Sequence, residues 1–277
     1  MNDDRRLRFA TLFLTYRCTV KCAFCDYGPL LDTPPAPMGG SDWQGILESL
    51  AEAGCECVVM TGGDPTEHPD FEGILASVSR LGLKSSLCVR RPLSDQVVSL
   101  LSDNPDPEIS VGLDTLSPEA SSFLHGDRVS LQGIIRMMND CRTRGIRVAV
   151  STVLCDGCEQ DIAGLMRRCA EMDVSTITIA CPRGSAHSDS LARYIRFGAS
   201  MGISVVAKPG NPPSENSCVQ CNVGRSRVIL DPFGRMLMCD HPTHLRESWF
   251  ATTPPPRFSR IAWDGHRAAF EIWLSGR

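Results

Sequence analysis

Fourteen cysteines stand in 277 residues, and six of them form two groups whose spacing suits metal chemistry. The first is Cys18-x3-Cys22-x2-Cys25; the second is Cys218-x2-Cys221 with Cys239 further on. Three thiolates on one short loop can hold three irons of a [4Fe–4S] cluster and leave the fourth iron open to an exogenous ligand. A zinc knuckle is the alternative. Zinc, however, needs a fourth Cys or His nearby, typically in C-x2-C pairs, and the first loop offers none. A looser pair, Cys155 and Cys158, is open to metal ligation, redox chemistry, hydrogen donation or plain packing. Cys55, Cys57, Cys88, Cys141 and Cys169 lie in apolar segments and read as small buried hydrophobes. The opening stretch MNDDRRLRFA lacks a secretory apolar run, so a cytoplasmic location is expected, where thiols stay reduced.

Such thiols need a rigid frame. Leu7–Thr15 reads as a first strand, and the first triad follows it directly. Further strands are expected at CVVMTGG, Lys84–Val89, Glu108–Leu113, Arg147–Leu154 and Thr176–Ala180. Helices are expected after an N-cap at Ser41, then over Phe71–Leu81, Ser94–Ser102, Leu131–Arg144, Gln160–Met172 and Ser188–Met201. Gly54, Gly82 and Gly145 supply the stops. Six strand–helix units of this kind predict an α/β fold, a partial (β/α)6 TIM-like barrel left open, with its chemistry at the C-terminal ends of the strands. The pattern breaks after Lys208. PGNPPSENS reads as a linker, and Ser226–Leu230 and Arg235–Met238 flank the turn Asp231-Pro232-Phe233-Gly234 as a hairpin. The division expected is a barrel over 1–208 and a small hairpin-based auxiliary-cluster region with the C-terminal tail over 209–277. In that tail Ile261, Trp263, Phe270, Ile272 and Trp273 are expected to dock on the barrel. A net charge of −4 gives no basic field for nucleic acid, and no apolar run is long enough for a bilayer, so neither partner is expected.

The first triad resembles the signature of the radical S-adenosylmethionine (SAM) superfamily, including the aromatic Phe24 before the last cysteine, where the family's backbone meets adenine. The resemblance implies a [4Fe–4S] cluster on Cys18, Cys22 and Cys25 whose open iron binds SAM. Cleavage of SAM then gives the 5′-deoxyadenosyl radical. Gly62-Gly63-Asp64-Pro65 resembles the family's GGE-P turn, in which glycines let the backbone approach SAM and the acid positions its ammonium. A plain strand-to-helix turn is the bland reading. Ser110–Glu119 resembles V-S-L-D-S-L, with Gly112 at the serine position, where it has no side chain to offer SAM. Asp114 there is either a SAM contact or an N-cap or turn residue. Ser151 falls where relatives carry a polar SAM contact. Cys181-Pro182-Arg183-Gly184 resembles the loop closing over adenine, with Cys181 packing beside SAM.

The second group resembles the auxiliary-cluster region of MoaA-like and Twitch (SPASM-related) enzymes, through CVQCNVGRSRVILDPFGRMLMC. The resemblance covers roughly residues 9 to 245 and implies a second [4Fe–4S] cluster on Cys218, Cys221 and Cys239. A zinc ribbon completed by Asp240 or His241 is the alternative. The match to MoaA itself is incomplete. Residues are inserted in this loop, the C-terminal diglycine is missing, and Ala149 stands near the place of a substrate-binding lysine. Arg225 and Arg227 beside the triad suit a phosphate or carboxylate clamp, or form a solvated face. Arg183, His125 and Arg128 are further candidate substrate contacts. No catalytic acid or base is assigned.

The expectation is radical chemistry on a small polar substrate, nucleotide- or sugar-like, with the auxiliary cluster assisting. The preference for a small molecule comes from the lack of a peptide-binding domain ahead of the barrel. An external donor such as flavodoxin or ferredoxin is the expected electron source. Sulfur insertion, ribosomal-peptide modification and a non-catalytic zinc or redox protein are the alternatives.

Overall fold

The computed structural model describes residues 6–25, 36–154, 161–181, 188–208, 223, 225–237, 257–259 and 262–264. Nine strands among them form one sheet in the order β7-β6-β5-β4-β3-β2-β1-β8-β9. Strands β1 (Phe9–Thr15), β2 (Cys57–Gly62), β3 (Lys84–Val89), β4 (Glu108–Gly112), β5 (Arg147–Val153), β6 (Thr176–Ala180) and β7 (Ser204–Lys208) pair in parallel, each with the next. Helices connect them: α1 (Gly40–Glu52), α2 (Phe71–Arg80), α3 (Asp95–Ser102), α4 (Pro118–His125), α5 (Leu131–Thr143), α6 (Ile162–Glu171) and α7 (Ser188–Ser200), all but α4 as expected. This is the α/β partial barrel that the alternation predicts.

Side-chain alternation decides which face does what. In β2, Val58 and Met60 are fully buried while Cys57, Val59 and Thr61 are half-buried. The buried set joins Ala10, Leu12 and Leu14 of β1 and Leu87 of β3 against Trp43, Leu47 and Leu50 of α1 and Ile74, Leu75 and Val78 of α2. That layer is the apolar core. The opposite face carries Thr61, Ser86, Ser110, Ser151 and Thr178, which are polar and half-buried. A parallel sheet buried on both faces would be apolar throughout; this one keeps a polar concave side.

Several local features differ from the sequence reading. The N-cap of α1 is Gly39, not Ser41, and the Gly40 N–H donates to Asp70 Oδ2 at 2.8 Å. Strand β7 and helix α4 are additional. Ser117 caps α4, its hydroxyl accepting from the Ala120 N–H, with Pro118 at the first turn. The N-cap alternative for Asp114 therefore falls to Ser117. The expected hairpin exists as β8 (Arg227–Leu230) and β9 (Met236–Leu237), closed by the Gly234 N–H donating to the Asp231 carbonyl. It also extends the barrel sheet: β8 runs parallel to β1, Phe9 opposite Arg227 and Leu12 opposite Leu230. Among the described residues no helix is long and apolar enough to cross a membrane.

Candidate active site at the carboxyl ends of the strands

A cavity of about 400 Å³ opens where β1 to β6 end. Its walls bring together Cys18, Cys22, Phe24 and Cys25 of the first loop with Thr61, Gly62, Gly63 and Asp64 after β2. Cys88, Val89 and Arg90 from β3, Ser110 and Gly112 from β4, Ser151 from β5 and Thr178 from β6 complete it. Most of the expected SAM-site residues thus share one space. Pro65 is buried in the 3₁₀ turn beyond Asp64, and Cys181 packs against the apolar core.

The glycine pair is required sterically. Gly62 has φ +134°, and a Cβ there would stand 2.2 Å from the Thr15 carbonyl oxygen. A Cβ on Gly63 would stand 2.2 Å from the Arg17 carbonyl oxygen. The Gly63 N–H donates to Thr15 O at 2.8 Å and the Asp64 N–H to Arg17 O at 2.7 Å. The glycines therefore let the second turn lie directly against the chain entering the cysteine loop. Glu67 braces the same loop, accepting from the Thr19 N–H at 2.7 Å and the Thr19 hydroxyl at 2.8 Å.

The Asp64 carboxylate is buried and engaged. Oδ1 accepts from the Thr66 N–H and hydroxyl, and Oδ2 accepts from Arg91 Nε at 2.8 Å. Asp114 is buried behind the cavity wall. It pairs with Arg90 Nη1, accepts from the Val153 N–H at 2.8 Å and lies 3.1 Å from His125 Nε2. Burial alone would raise its pKa, but Arg90, His125 and the Val153 amide outweigh it, and the carboxyl is held below the usual range. Arg90 in turn lies over the Phe24 ring, 5.1 Å from its centroid. The empty serine position has a reason here: a Cβ on Gly112 would come within 2.8 Å of the Arg90 guanidinium. The arginine fills the space that a larger residue would take.

His125 is buried, 4% exposed, and its Nδ1 lies 3.2 Å from Cys22 Sγ. It faces the back of the cysteine loop, not the open cavity. Arg128 reaches the Val20 carbonyl of that loop. Arg227 stands at the opposite end of the sheet, since β8 is parallel to β1 and begins level with Phe9. Its Nε and Nη2 donate to Thr11 Oγ1 at 3.0 and 2.8 Å. Arg225 lies in the turn before it, whose Ser226 carbonyl accepts from the Arg8 and Phe9 N–H groups. Cys155, Cys158, Arg183, Cys218, Cys221, Cys239, Asp240 and His241 lie outside the described residues.

Arg90 and Arg91 are the site residues that the sequence reading missed. The available signal was a pair of arginines at the C-terminal end of a barrel strand, a place that favours function over stability. Thr61 and Thr178 were equally silent, and Cys57 and Cys88, expected as buried hydrophobes, are half-buried, with Cys88 lining the cavity.

The donor set fits an iron–sulfur cluster. Three thiols line one wall, with Cys18 and Cys25 resting on Phe13, Tyr16, Ile229 and Leu237. Burial pushes the Cys22 thiol up to about 12, with Arg90 pulling the other way. Iron held there would displace a proton. An open parallel barrel with a thiol loop at the mouth and a glycine turn beside it defines a cluster-dependent, SAM-binding class of enzyme.

The comparisons agree. The family model of the radical SAM superfamily matches residues 12–169, more than half of the chain, and the chain belongs to that superfamily. Membership carries a [4Fe–4S] cluster and SAM as cofactors. The PqqA peptide cyclase of Xanthomonas oryzae pv. oryzae (strain MAFF 311018) is 24% identical over 174 residues, 61% of this chain and 46% of the relative. That of Gluconobacter oxydans (strain 621H) is 32% identical over 83 residues, 30% of this chain and 23% of the relative. The chain spans about half or less of the length of these relatives. Among solved structures, SuiB of Streptococcus suis matches with a TM-score of 0.73 at 16% identity, over 97% of this chain and 66% of that chain. Methylornithine synthase (PylB) matches with a TM-score of 0.58 at 14% identity, over 97% and 86%. The two structures share the fold of this chain.

Proposed function

We propose that the protein modifies a ribosomally made peptide by SAM-dependent radical chemistry. The observation that carries this reading is the similarity to PqqA peptide cyclases over 61% of the chain. It favours a peptide over the small polar substrate that the sequence first suggested. A SuiB structure with its precursor peptide SuiA bound shares the fold, with a TM-score of 0.72 at 16% identity. Cys18, Cys22 and Cys25 would hold the cluster. With cluster and SAM bound, the chemistry available is one-electron cleavage of the sulfonium C–S bond to give the 5′-deoxyadenosyl radical. Gly62 and Gly63 keep the second turn flat against the loop, so that backbone groups can reach SAM. Phe24 and Arg90 form the wall on which an adenine ring can stack. Ser110, Ser151 and Thr178 offer hydroxyls from the concave face.

The reading keeps a second [4Fe–4S] cluster on Cys218, Cys221 and Cys239, within an auxiliary region over 209–277 that follows a barrel over 1–208. It also keeps an external electron donor such as flavodoxin or ferredoxin, in the reducing cytoplasm. The test is anaerobic turnover of reconstituted protein with SAM and dithionite, offered peptides encoded beside its gene and, separately, nucleotides and sugar phosphates. A peptide mass change coupled to 5′-deoxyadenosine formation is the expected result. Consumption of a small metabolite, with every peptide returned unchanged, would overturn it.

A further inference from the structure

A chain of four side chains runs from the cavity wall to the back of the cysteine loop. Arg90 pairs with Asp114 Oδ2, the same oxygen lies 3.1 Å from His125 Nε2, and His125 Nδ1 lies 3.2 Å from Cys22 Sγ. Asp114 is fully buried and His125 is 4% exposed, so the contact between them is shielded from water. The ring is also held edge-on by Phe24, with centroids 5.7 Å apart and planes at 81°. The backbone fixes the register: the Ala23 N–H donates to the Leu124 carbonyl at 2.9 Å, one residue from each partner. Arg128 adds a tie from the following turn to the Val20 carbonyl. His125 ends α4 at Gly126, whose φ of +62° turns the chain away and leaves the imidazole at the helix end.

We infer that His125 is a positioning residue for the cluster: with a proton on each ring nitrogen, its Nε2–H donates to Asp114 and its Nδ1–H to the Cys22 thiolate, which raises the cluster's reduction potential, while Asp114 and Arg90 fix the ring. The physical reason is charge. Reduction by an external one-electron donor adds one negative charge to the cluster and its sulfurs. A donor aimed at a coordinating sulfur stabilises that added charge more than it stabilises the oxidised form. In a dry site such a bond is stronger than in water. This inference concerns the cluster on Cys18, Cys22 and Cys25 alone, and it stands or falls independently of which substrate the protein takes.

The experiment is a dithionite-poised redox titration of the reconstituted holoprotein, followed by electron paramagnetic resonance, on a background lacking Cys218, Cys221 and Cys239 so that one cluster is read. His125→Leu is expected to lower the reduced-to-oxidised ratio at a fixed poise on the order of tenfold, which is about 59 mV for a one-electron couple. His125→Asn, whose amide N–H can occupy the place of Nδ1, is expected to recover most of that shift. A merely structural role would change the amount of cluster retained, not its potential. Two variants that both titrate with the wild type overturn the inference. The wild-type holoprotein supplies a readout that needs no variant. With 15N-labelled histidine, electron–nuclear double resonance in H2O and D2O should show an exchangeable proton and a weak histidine nitrogen coupling. Their absence overturns the inference even where His125→Leu fails to retain iron.

Discussion

Arg91 Nε donates to Asp64 Oδ2 at 2.8 Å, so the acid of the glycine turn is held from behind while its main chain holds the cysteine loop from in front. Arg91 Nη2 also reaches Thr66 Oγ1 at 3.0 Å. Replacing Arg91 with leucine leaves a buried carboxylate without its cation. The guanidinium is a third exposed, which discounts the pair. A loss of about 1–2 kcal/mol in chemical denaturation is expected, with weaker SAM binding by calorimetry. Unchanged values in both would show that the Thr66 contacts alone hold Asp64.

Gly63→Ala is expected to be far worse than its size suggests. The added methyl meets the Arg17 carbonyl, which is backbone and cannot swing aside. The strand ends must separate, and the thiol loop goes with them. Iron content after reconstitution should fall several-fold while far-ultraviolet circular dichroism is retained. A variant that takes up iron like the wild type would show that the two turns have slack between them.

Gly112→Ser restores the residue type that the superfamily pattern carries, yet it is expected to harm this protein. Its side chain would push against the Arg90 guanidinium, displacing it from Phe24 and straining its pair with Asp114. SAM affinity should drop by roughly tenfold, about 1.4 kcal/mol. The double variant with Arg90→Ala should bind SAM better than Gly112→Ser alone.

Three cysteines are expected to resist alkylation in the folded state. Burial pushes the thiols of Cys55 and Cys169 up to about 12 and that of Cys141 up to about 11. The thiolate is the nucleophile, so raising the pKa lowers the reactive fraction at any lower pH. Iodoacetamide at neutral pH should leave all three unmodified, label them in denaturant, and gain on them as pH rises towards those values. Mass spectrometry of the peptides reads this directly, and fast native labelling at Cys169 would contradict its place in the core.

Reconstituted protein should carry about eight irons, as two [4Fe–4S] clusters require, and about four after loss of Cys218, Cys221 and Cys239. That variant should still make 5′-deoxyadenosine slowly, because the proposed SAM site lies at the first triad. A wild-type count near four would remove the second cluster.

The scaffold was legible because its segments obey period and punctuation together. Lys84–Val89 and Thr176–Ala180 match the expected strands residue for residue, and Gly82 and Gly145 terminate helices with positive φ as read. Strand β7 escaped because it is only five residues long and the linker-like PGNPPSENS follows it directly. Helix α4 hid inside a motif read for its chemistry, although Ser117-Pro118-Glu119 is a good helix start. Cysteine and glycine site residues announce themselves by spacing. Arg90 and Arg91 do not, because an arginine has no required spacing and its long side chain acts far from its own Cα. Gly112 shows the same limit: its lack of a side chain is explained only by an arginine 22 positions away in sequence.

The seating of β8 beside β1 has a consequence for biogenesis. Strand β1 is made well before its neighbour on that side, which lies about two hundred residues downstream, where the Ser226 carbonyl receives the Arg8 and Phe9 amides. Until then the strand that carries the thiol loop is an unpaired edge on one side, and Phe13 and Tyr16 lack Ile229 and Leu237 as cover. Contacts so distant along the chain form late, after the local βα units have condensed. Iron delivery is thereby tied to the synthesis of β8: a nascent chain that stops short of it offers three thiols on an unfinished floor, and one that includes it offers a seat.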